Sequence, residues 1–201
     1  INGSQAANAA EVIGSVPTVV LSPDLKAITN GAPSERRRFL DIVISQSRRR
    51  YLDDLIHYRR TLKQRNALLS EARRTGRNLD KTLLESWDEV LIDRGARLMA
   101  QRAEFVAAFQ PMLHVAATEV SSALDEVELT YVPDGLKEEL GSVDQYRDAL
   151  WLRSRQVWNE ERRRGATMFG PHRDDLRLEI NGGDARVSAS QGQHKTILVG
   201  L

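Results

Sequence analysis

The stretch Ser188–Leu201, with the sequence SASQGQHKTILVGL, decides how the rest of the chain is interpreted. Small and polar residues open it and an apolar run, Thr196–Val199, closes it, which is the pattern of a tight loop that leads into a helix. Backbone amides at a helix start attract phosphate, and a glycine lets a ligand approach the backbone. Taken alone, most strings of this kind are ordinary helix caps, because serine is a good N-cap residue. The candidate phosphate contacts are Ser190, Gly192, Gln193 and Lys195.

A second motif, GPHRDD at Gly170–Asp175, lies upstream and is followed by an Asn181–Gly182 turn. In this order and spacing, GPHRDD, Asn-Gly and SQGQ resemble the RecF family of bacterial recombination-repair proteins. The SQGQ string is also similar to the signature motif of ABC-type ATPases. The resemblance covers nearly the whole chain, since three earlier stretches agree with it: VVLSPDL at 19–25, GAPSERRRFLD at 31–41 and LKQRN at 62–66.

The resemblance implies the helical, signature-bearing lobe of an ABC-type ATPase head. For the intact protein it implies ATP and Mg²⁺ as cofactors, and a homodimer in which the SQGQ loop reaches the γ-phosphate held by the partner subunit. It also implies a cytoplasmic protein without a membrane partner, which binds single-stranded and double-stranded DNA and gaps and works with RecR and RecO to help load RecA. The residues that it places near the nucleotide interface are His172, Arg173, Asp174 and Asp175.

The composition sets limits of its own. The 201 residues include 29 Lys or Arg and 28 Asp or Glu, so the net charge of +1 creates no global field towards DNA or membranes. The absence of cysteine excludes disulfides and thiolate zinc sites. No apolar run approaches the roughly 20 residues of a membrane span. The chain begins without methionine and ends within an apolar run, so we expect an internal piece of a longer protein.

Periodic apolar residues predict a mainly α-helical chain with small β elements, of the α+β class. They recur every three or four positions in Tyr51–Leu69 and every seven in Leu84–Phe105, as in a coiled-coil seam. We expect two long helices, folded back as an antiparallel hairpin around the turn Thr75–Asn78. Ser34 is the expected N-cap of the first helix, and Pro111 is expected to kink or restart the second.

Shorter elements complete the predicted architecture. A capping box is expected at Ser142 and Gln145, with Gly165 as the end of the helix that follows. The expected strands are Thr18–Leu21, Glu126–Val132 and a β-hairpin of Leu176–Ile180 with Ala185–Ser188, and the expected helix is Val143–Arg164. We divide the chain into residues 1–33 as the end of an ATPase lobe, 34–165 as a helical arm with its hairpin at about 34–124, and 166–201 as the GPHRDD turn, β-hairpin and start of the signature helix.

The charges are unevenly distributed along the chain. Ser34–Arg74 carries twelve Lys or Arg against five Asp or Glu, whereas Asp80–Leu140 carries five against thirteen. This pattern fits phosphate contacts, or it fits pairing of a basic helix with an acidic one. Arg73, Arg74 and Arg77, at the expected hairpin tip, have fewer acidic neighbours in sequence and are the candidate DNA contacts. Aromatic residues make up only 5% of the chain, and no stacking platform for single strands is evident.

Several catalytic motifs are missing. No phosphate loop of the form Gly-x-x-x-x-Gly-Lys-Ser/Thr occurs, and Val90–Asp93, which imitates an acidic strand, falls within a helical stripe. Glutamine is absent between Thr18 and Leu25, where an ABC-type ATPase usually has one near its metal. The chain by itself is therefore not expected to hydrolyse ATP, and no Ser-His-Asp or paired-carboxylate arrangement suggests a different hydrolase.

The GPHRDD motif could suggest a metal site at His172, Asp174 and Asp175. Ligands so close in sequence do not easily close around one ion, so we expect none. The simpler alternative is a turn at Gly170–Pro171, with one of the two aspartates as a cap or as the partner of Arg173.

Two other classes of protein remain open. An SMC-type head-domain ATPase of chromosome maintenance would need a far longer coiled coil than the short arm between Asp24 and the GPHRDD turn. A helical interaction module without a nucleotide role would use SQGQ only as a helix cap. Nucleotide dependence of self-association distinguishes this module from the ATPase.

Overall fold

The structure is a computed structural model, which describes residue 13 and residues 26–76, 79, 81–120, 126–136 and 140–201. The strand expected at Thr18–Leu21, with Ser22 and Asp24 after it, lies outside these residues. The helices are α1 Lys26–Asn30, α2 Pro33–Ser47, α3 Arg49–Thr75, α4 Lys81–Val120, α5 Val143–Arg164, α6 Ala185–Ser188 and α7 Gln191–Gly200; the strands are β1 Val127–Val132, β2 Asp175–Ile180 and β3 Gly183–Asp184. The predicted α+β class, mainly helical with a small sheet, is confirmed.

The described residues form two compact units, each built from separate parts of the chain. The first unit takes its residues from Ile1–Arg49, Arg102–Val132 and Asp175–Leu201. The second unit takes its residues from Arg50–Gln101 and Pro133–Asp174.

The first unit contains an antiparallel sheet in the order β1-β2-β3. Val127 pairs with Ile180 and Val132 with Asp175, so β1 and β2 are aligned along their whole length. Alternate residues are buried in both strands, as the sequence predicted: Val127, Leu129, Tyr131, Leu176, Leu178 and Ile180. One face of the sheet is therefore part of the hydrophobic core. Helix α2 packs against β2 within this unit.

The predicted β-hairpin of Leu176–Ile180 with Ala185–Ser188 is wrong in its second strand. Asn181 and Gly182 do turn the chain with positive φ angles of 52° and 75°, but β3 contains only Gly183 and Asp184, and residues 185–188 form α6. The reason is local: the Asp184 side chain accepts a hydrogen bond from the Arg186 amide and caps a helical turn. This short polar interaction competes with strand pairing.

The second unit contains most of α3, the first half of α4, and α5. Asp54 pairs with Arg94 and Arg65 pairs with Asp88, so later positions of α3 meet earlier positions of α4. This order confirms the antiparallel hairpin. Leu84, Leu91 and Leu98, at seven-residue spacing, are all buried. The capping box that starts α5 and its stop at Gly165, in the left-handed conformation at φ 69°, are confirmed as well.

The start of the basic helix differs from the prediction. Ala32 is the N-cap of α2 and makes no side-chain cap hydrogen bond, while Pro33 and Ser34 are already helical. Proline suits the first helical position because its fixed φ matches a helix and it lacks an amide that would be unpaired there. Arg48, extended at φ −133°, then ends α2 before α3 begins. Pro111 lies inside α4, which runs through it without the expected restart.

Candidate functional site

The SQGQ loop starts helix α7 with a complete capping box. Ser190 Oγ accepts a hydrogen bond from the Gln193 amide at 3.3 Å. Gln193 Oε1 accepts one from the Ser190 amide at 2.8 Å. Both side chains thus hold the first turn of the helix in place, as in the helix-cap interpretation.

The loop is also open to a ligand. Ser190, Gln191, Gly192 and Lys195 are exposed, whereas Thr196 and Ile197 are buried. Among the described residues, a Cβ atom added to Gly192 would meet only Ser190 Oγ, at an ordinary 3.8 Å, so none of these neighbours requires a glycine there. A rigid helix start with an exposed glycine and a nearby lysine fits an anion supplied from outside the chain.

The GPHRDD turn begins with a glycine that its surroundings do require. Gly170 has a φ of 106°, and a Cβ atom there would lie 2.6 Å from Tyr58 Oη. The Tyr58 hydroxyl lies 2.6 Å from His172 Nδ1, and His172 Nε2 lies 3.3 Å from the Thr167 carbonyl oxygen. In the tautomer with Nε2–H, the tyrosine donates to the ring and the ring donates to the carbonyl. Both ring nitrogens of His172 are thus engaged within the second unit.

Arg173 and Asp174 are also engaged within the second unit. Arg173 Nε donates to Asp134 Oδ2 at 2.7 Å, and the Asp134 amide donates to Asp174 Oδ1 at 3.0 Å. Asp174 is buried. Burial raises the pKa of Tyr146 to about 12, and the charge of Asp174 adds to the effect. This part of the motif therefore forms a fixed turn.

Asp175 belongs to the first unit, where it binds Arg36 from the GAPSERRRFLD stretch. The guanidinium donates to both carboxylate oxygens, at 2.7 and 2.8 Å, and also to the Gly31 carbonyl. A second ion pair, Asp184 with Arg186, lines the same cleft. Hydrogen bonds from Arg186 lower the pKa of Asp184 to about 2. Two of the stretches that carry the family resemblance thus meet directly, through a bidentate pair.

No sequence pattern pointed to Arg65 of the LKQRN stretch, which is the most buried cation among the described residues. Its side chain is 1% exposed and donates to Asp88 at 2.6 Å, to both Glu161 oxygens at 3.0 and 2.8 Å, and to Thr167. Burial alone would lower the pKa of Arg65, but hydrogen bonds to Glu161 and the charges of Glu161 and Asp88 raise it. Arg65 thereby joins α3, α4 and α5 to the segment just before GPHRDD. A charged residue in a basic helix is normally expected on the surface, so the charge pattern of the sequence could not reveal that Arg65 is buried.

The candidate DNA contacts lie at the end of α3. Arg73 and Arg74 are exposed; Arg73 donates to the Arg164 carbonyl and Arg74 pairs with Glu71. Arg77 lies outside the described residues. Elsewhere, ion pairs join the segment from α2 to α3 with α4: Arg48 with Glu104 and Arg102 with Asp41 in the first unit, and Arg65 with Asp88 and Arg94 with Asp54 in the second. These pairs support the interpretation in which the helices pair through their charges, and in two of them the cation comes from α4.

The described ranges contain neither a cluster of metal-ligating side chains nor a membrane-spanning helix. No three His, Cys, Asp or Glu side chains are placed there to hold a metal ion together. None of the helices in the same residues has the length and apolar character needed to cross a bilayer.

Known proteins match the chain over its full length. The DNA replication and repair protein RecF of Chloroherpeton thalassium is 39% identical over 202 residues, which cover 100% of this chain and 54% of that protein. RecF of Symbiobacterium thermophilum is 36% identical, again over 100% of this chain. A solved structure of the recombination mediator protein RecF with ATPrS, in the RecFOR pathway, superposes with a TM-score of 0.91 at 32% identity, covering 99% of this chain. This chain belongs to the RecF family.

The chain spans about half the length of the RecF proteins that it matches, 54% and 52% for the two relatives above. A RecF structure with ATP gives the same TM-score of 0.91 at 31% identity and covers 52% of that RecF chain. No protein-family model matches the sequence.

Proposed function

We propose that this chain is the signature-bearing part of a RecF protein that binds ATP with Mg²⁺ and dimerises head to head around the nucleotide. The intact protein acts on gapped DNA in recombinational repair and replication, with RecR and RecO, to help load RecA. The observation that carries the proposal is the exposed SQGQ loop at the start of α7, in a chain that matches RecF throughout. In the intact protein, residues 1–33 end the ATPase lobe, 34–165 form the arm and 166–201 carry the nucleotide-facing motifs.

In this proposal the loop reads the γ-phosphate bound by the partner subunit. The amides of the first turn and the Ser190 hydroxyl face the phosphate, Gly192 allows its close approach, and Lys195 adds a positive charge. The capping box supports this role, since a donor group that is held in place before binding loses less entropy. Gln193 serves both as the cap partner and as a contact at the edge of the site.

His172, Arg173, Asp174 and Asp175 act near the nucleotide interface by positioning. Their side chains are engaged by neighbours within their own units, which supports a role in fixing the chain before the signature helix. The DNA contacts proposed are Arg73, Arg74 and Arg77 at the end of the arm.

The experiment that tests the loop separates its capping role from its phosphate role. Aspartate is as good an N-cap as serine, so Ser190→Asp keeps the helix start but places a negative charge against the γ-phosphate. We expect the intact variant to lose ATP-dependent dimerisation in sedimentation velocity while its thermal midpoint stays unchanged. A Ser190→Asp protein that dimerises with ATP as the wild type does would sink the proposal.

The chain offers a matched control in the other capping box. Ser142 starts α5 with the same reciprocal bonds to Gln145, so Ser142→Asp makes the same chemical change in a capping box that is not part of the SQGQ motif. This control should dimerise normally. Equal losses in the two variants would indicate a general effect of the added charge and would count against a specific phosphate contact.

The helical interaction module is the second candidate, because the capping box gives the SQGQ residues a complete structural role. It predicts self-association that ignores nucleotide, and Ser190→Asp should then leave assembly unchanged with ATP, with ADP and without nucleotide.

A further inference from the structure

Thr167, which lies shortly before the GPHRDD turn, has all three of its polar groups in hydrogen bonds. Its amide donates to Asn66 Oδ1 at 2.8 Å, and its hydroxyl donates to the same oxygen at 2.7 Å. The hydroxyl oxygen accepts from Arg65 Nη1 at 2.9 Å, and the carbonyl oxygen lies 3.3 Å from His172 Nε2. Two neighbouring residues of the LKQRN stretch therefore hold the residue that binds the histidine of the turn.

The chemistry of these groups fixes the direction of each bond. A backbone amide and a guanidinium only donate, so Asn66 presents its oxygen to Thr167, and the hydroxyl proton of Thr167 points to that oxygen. A carbonyl oxygen only accepts, so His172 carries a proton on Nε2. The neutral ring then accepts at Nδ1 from the Tyr58 hydroxyl. The Thr167 carbonyl thus sets the tautomer in which His172 is held.

The turn also packs against the two other long helices of the second unit. A Cβ atom added to Gly95 would lie 3.2 Å from Pro171 Cδ and 3.3 Å from Tyr58 Cε2, so α4 approaches both residues closely. The Met168 amide donates to Glu161 Oε1, in α5, at 2.8 Å. The turn and the segment before it are therefore in contact with α3, α4 and α5.

Asn66 differs from its neighbour Arg65 in what its loss would do. Arg65 pairs with Asp88 and with the fully buried Glu161, so its loss leaves a buried charge unpaired. Asn66 is neutral and half-buried, and its oxygen accepts from two groups of the same loop residue. A substitution at Asn66 can therefore release the loop without removing a charge from the core.

We propose that Asn66 is a positioning residue for ATP-dependent dimerisation: it holds Thr167, Thr167 holds His172, and the GPHRDD turn is thereby fixed before the nucleotide interface forms. This role rests on the proposed dimerisation around ATP, and it adds to the proposed site a residue of α3 that belongs to neither the GPHRDD nor the SQGQ motif. A turn that is already fixed loses less entropy when the interface forms.

The variant Asn66→Leu of the intact protein tests this role. It removes the oxygen but keeps a branched side chain of comparable size, and leucine is a better helix former than asparagine, so α3 is not weakened. We expect hydrogen exchange at the Thr167 amide to speed up about tenfold, because that amide loses its acceptor. In sedimentation velocity, the Kd of the ATP-bound dimer should rise about tenfold. The monomer should bind a fluorescent ATP analogue with the Kd of the wild type.

Two control variants belong to the same unit. Thr167→Ser keeps the amide, the hydroxyl and the carbonyl, so it should exchange and dimerise as the wild type does. Asn159→Leu makes the same substitution as the test variant at an exposed position of α5 and should also behave as the wild type.

The possible results separate positioning from a structural role. Faster exchange at Thr167 with wild-type dimerisation would make Asn66 a structural residue only and would overturn the proposed role. Unchanged exchange would overturn it as well, because Asn66 would then not hold Thr167. Weaker ATP binding by the monomer would indicate general damage to the protein and would also count against positioning. A wild type that does not dimerise with ATP removes the proposed function itself, whereas the other contrary results remove only the role of Asn66.

Discussion

Gly170 shows how a single residue can be fixed by its surroundings. Its positive φ of 106° favours glycine, and the Tyr58 hydroxyl occupies the space where a Cβ atom would lie. The same hydroxyl binds His172, so displacing it would also disturb the ring. The motif begins with glycine for steric reasons that are visible within the second unit.

Gly170→Ala should lower the free energy of unfolding by about 1–3 kcal/mol from backbone strain, with a further loss from the displaced Tyr58. Gly182→Ala is the control, because Gly182 also has a positive φ, 75°, but no described residue lies within 4 Å of an added Cβ atom there. Urea denaturation of both variants measures the difference. Equal losses would contradict a role for the Tyr58 contact.

Arg65 is the cation that pairs with the fully buried Glu161 in the second unit. Arg65→Met should cost about 3–5 kcal/mol of stability, because it leaves the fully buried Glu161 without its cation. Arg97→Met removes an arginine that is 44% exposed and pairs with Asp93, so it should cost only about 0–1 kcal/mol. Thermal or urea unfolding compares them. If the two losses were similar, the buried pair would not be a major source of stability.

At the level of helices and strands, local patterns predicted most of the fold. The Ser142–Gln145 box, the stop at Gly165 and the alternation in β1 each depend on residues close in sequence. The errors arose where a neighbouring interaction competed: Asp184 capped a helix in the expected strand, and Pro33 moved the start of α2 ahead of Ser34.

The edge of the sheet depends on a side chain that no pattern revealed. Gln110 of α4 donates to the Val127 carbonyl at 3.0 Å and accepts from the Leu129 amide at 2.7 Å, so one amide side chain pairs with the backbone of β1. Such a contact joins elements whose pairing becomes known only from the tertiary structure. It satisfies backbone groups of an edge strand, which would otherwise be open to other chains.

Gln110→Leu should destabilise the first unit by about 1–3 kcal/mol for each buried group left unpaired. Hydrogen exchange should speed up at the Leu129 amide. Gln101→Leu is the control in the same helix, because the hydrogen bond that the Gln101 side chain makes among the described residues goes to the Arg97 carbonyl of its own helix turn. Unchanged exchange at Leu129 in Gln110→Leu would refute this role.

For the whole molecule, the sequence was enough to identify the motifs, but it did not predict which of their side chains contact one another. The two units are assembled from separate parts of the chain, so the pairing of Arg36 with Asp175 across 139 positions depends on long-range packing. The candidate site shows the same division. The capping box of the SQGQ loop follows from four consecutive residues, whereas the anchoring of the GPHRDD side chains depends on Tyr58 and Asp134, which belong to distant elements.

The most direct test of a phosphate-reading SQGQ loop is photo-crosslinking of the intact protein to an ATP analogue that carries its reactive group on the γ-phosphate. Trypsin cuts after Arg186 and Lys195, so the loop is released as the single peptide Val187–Lys195. We predict that mass spectrometry finds the label on this peptide under conditions in which the protein dimerises. Labelling that is efficient elsewhere and absent from this peptide would contradict the account.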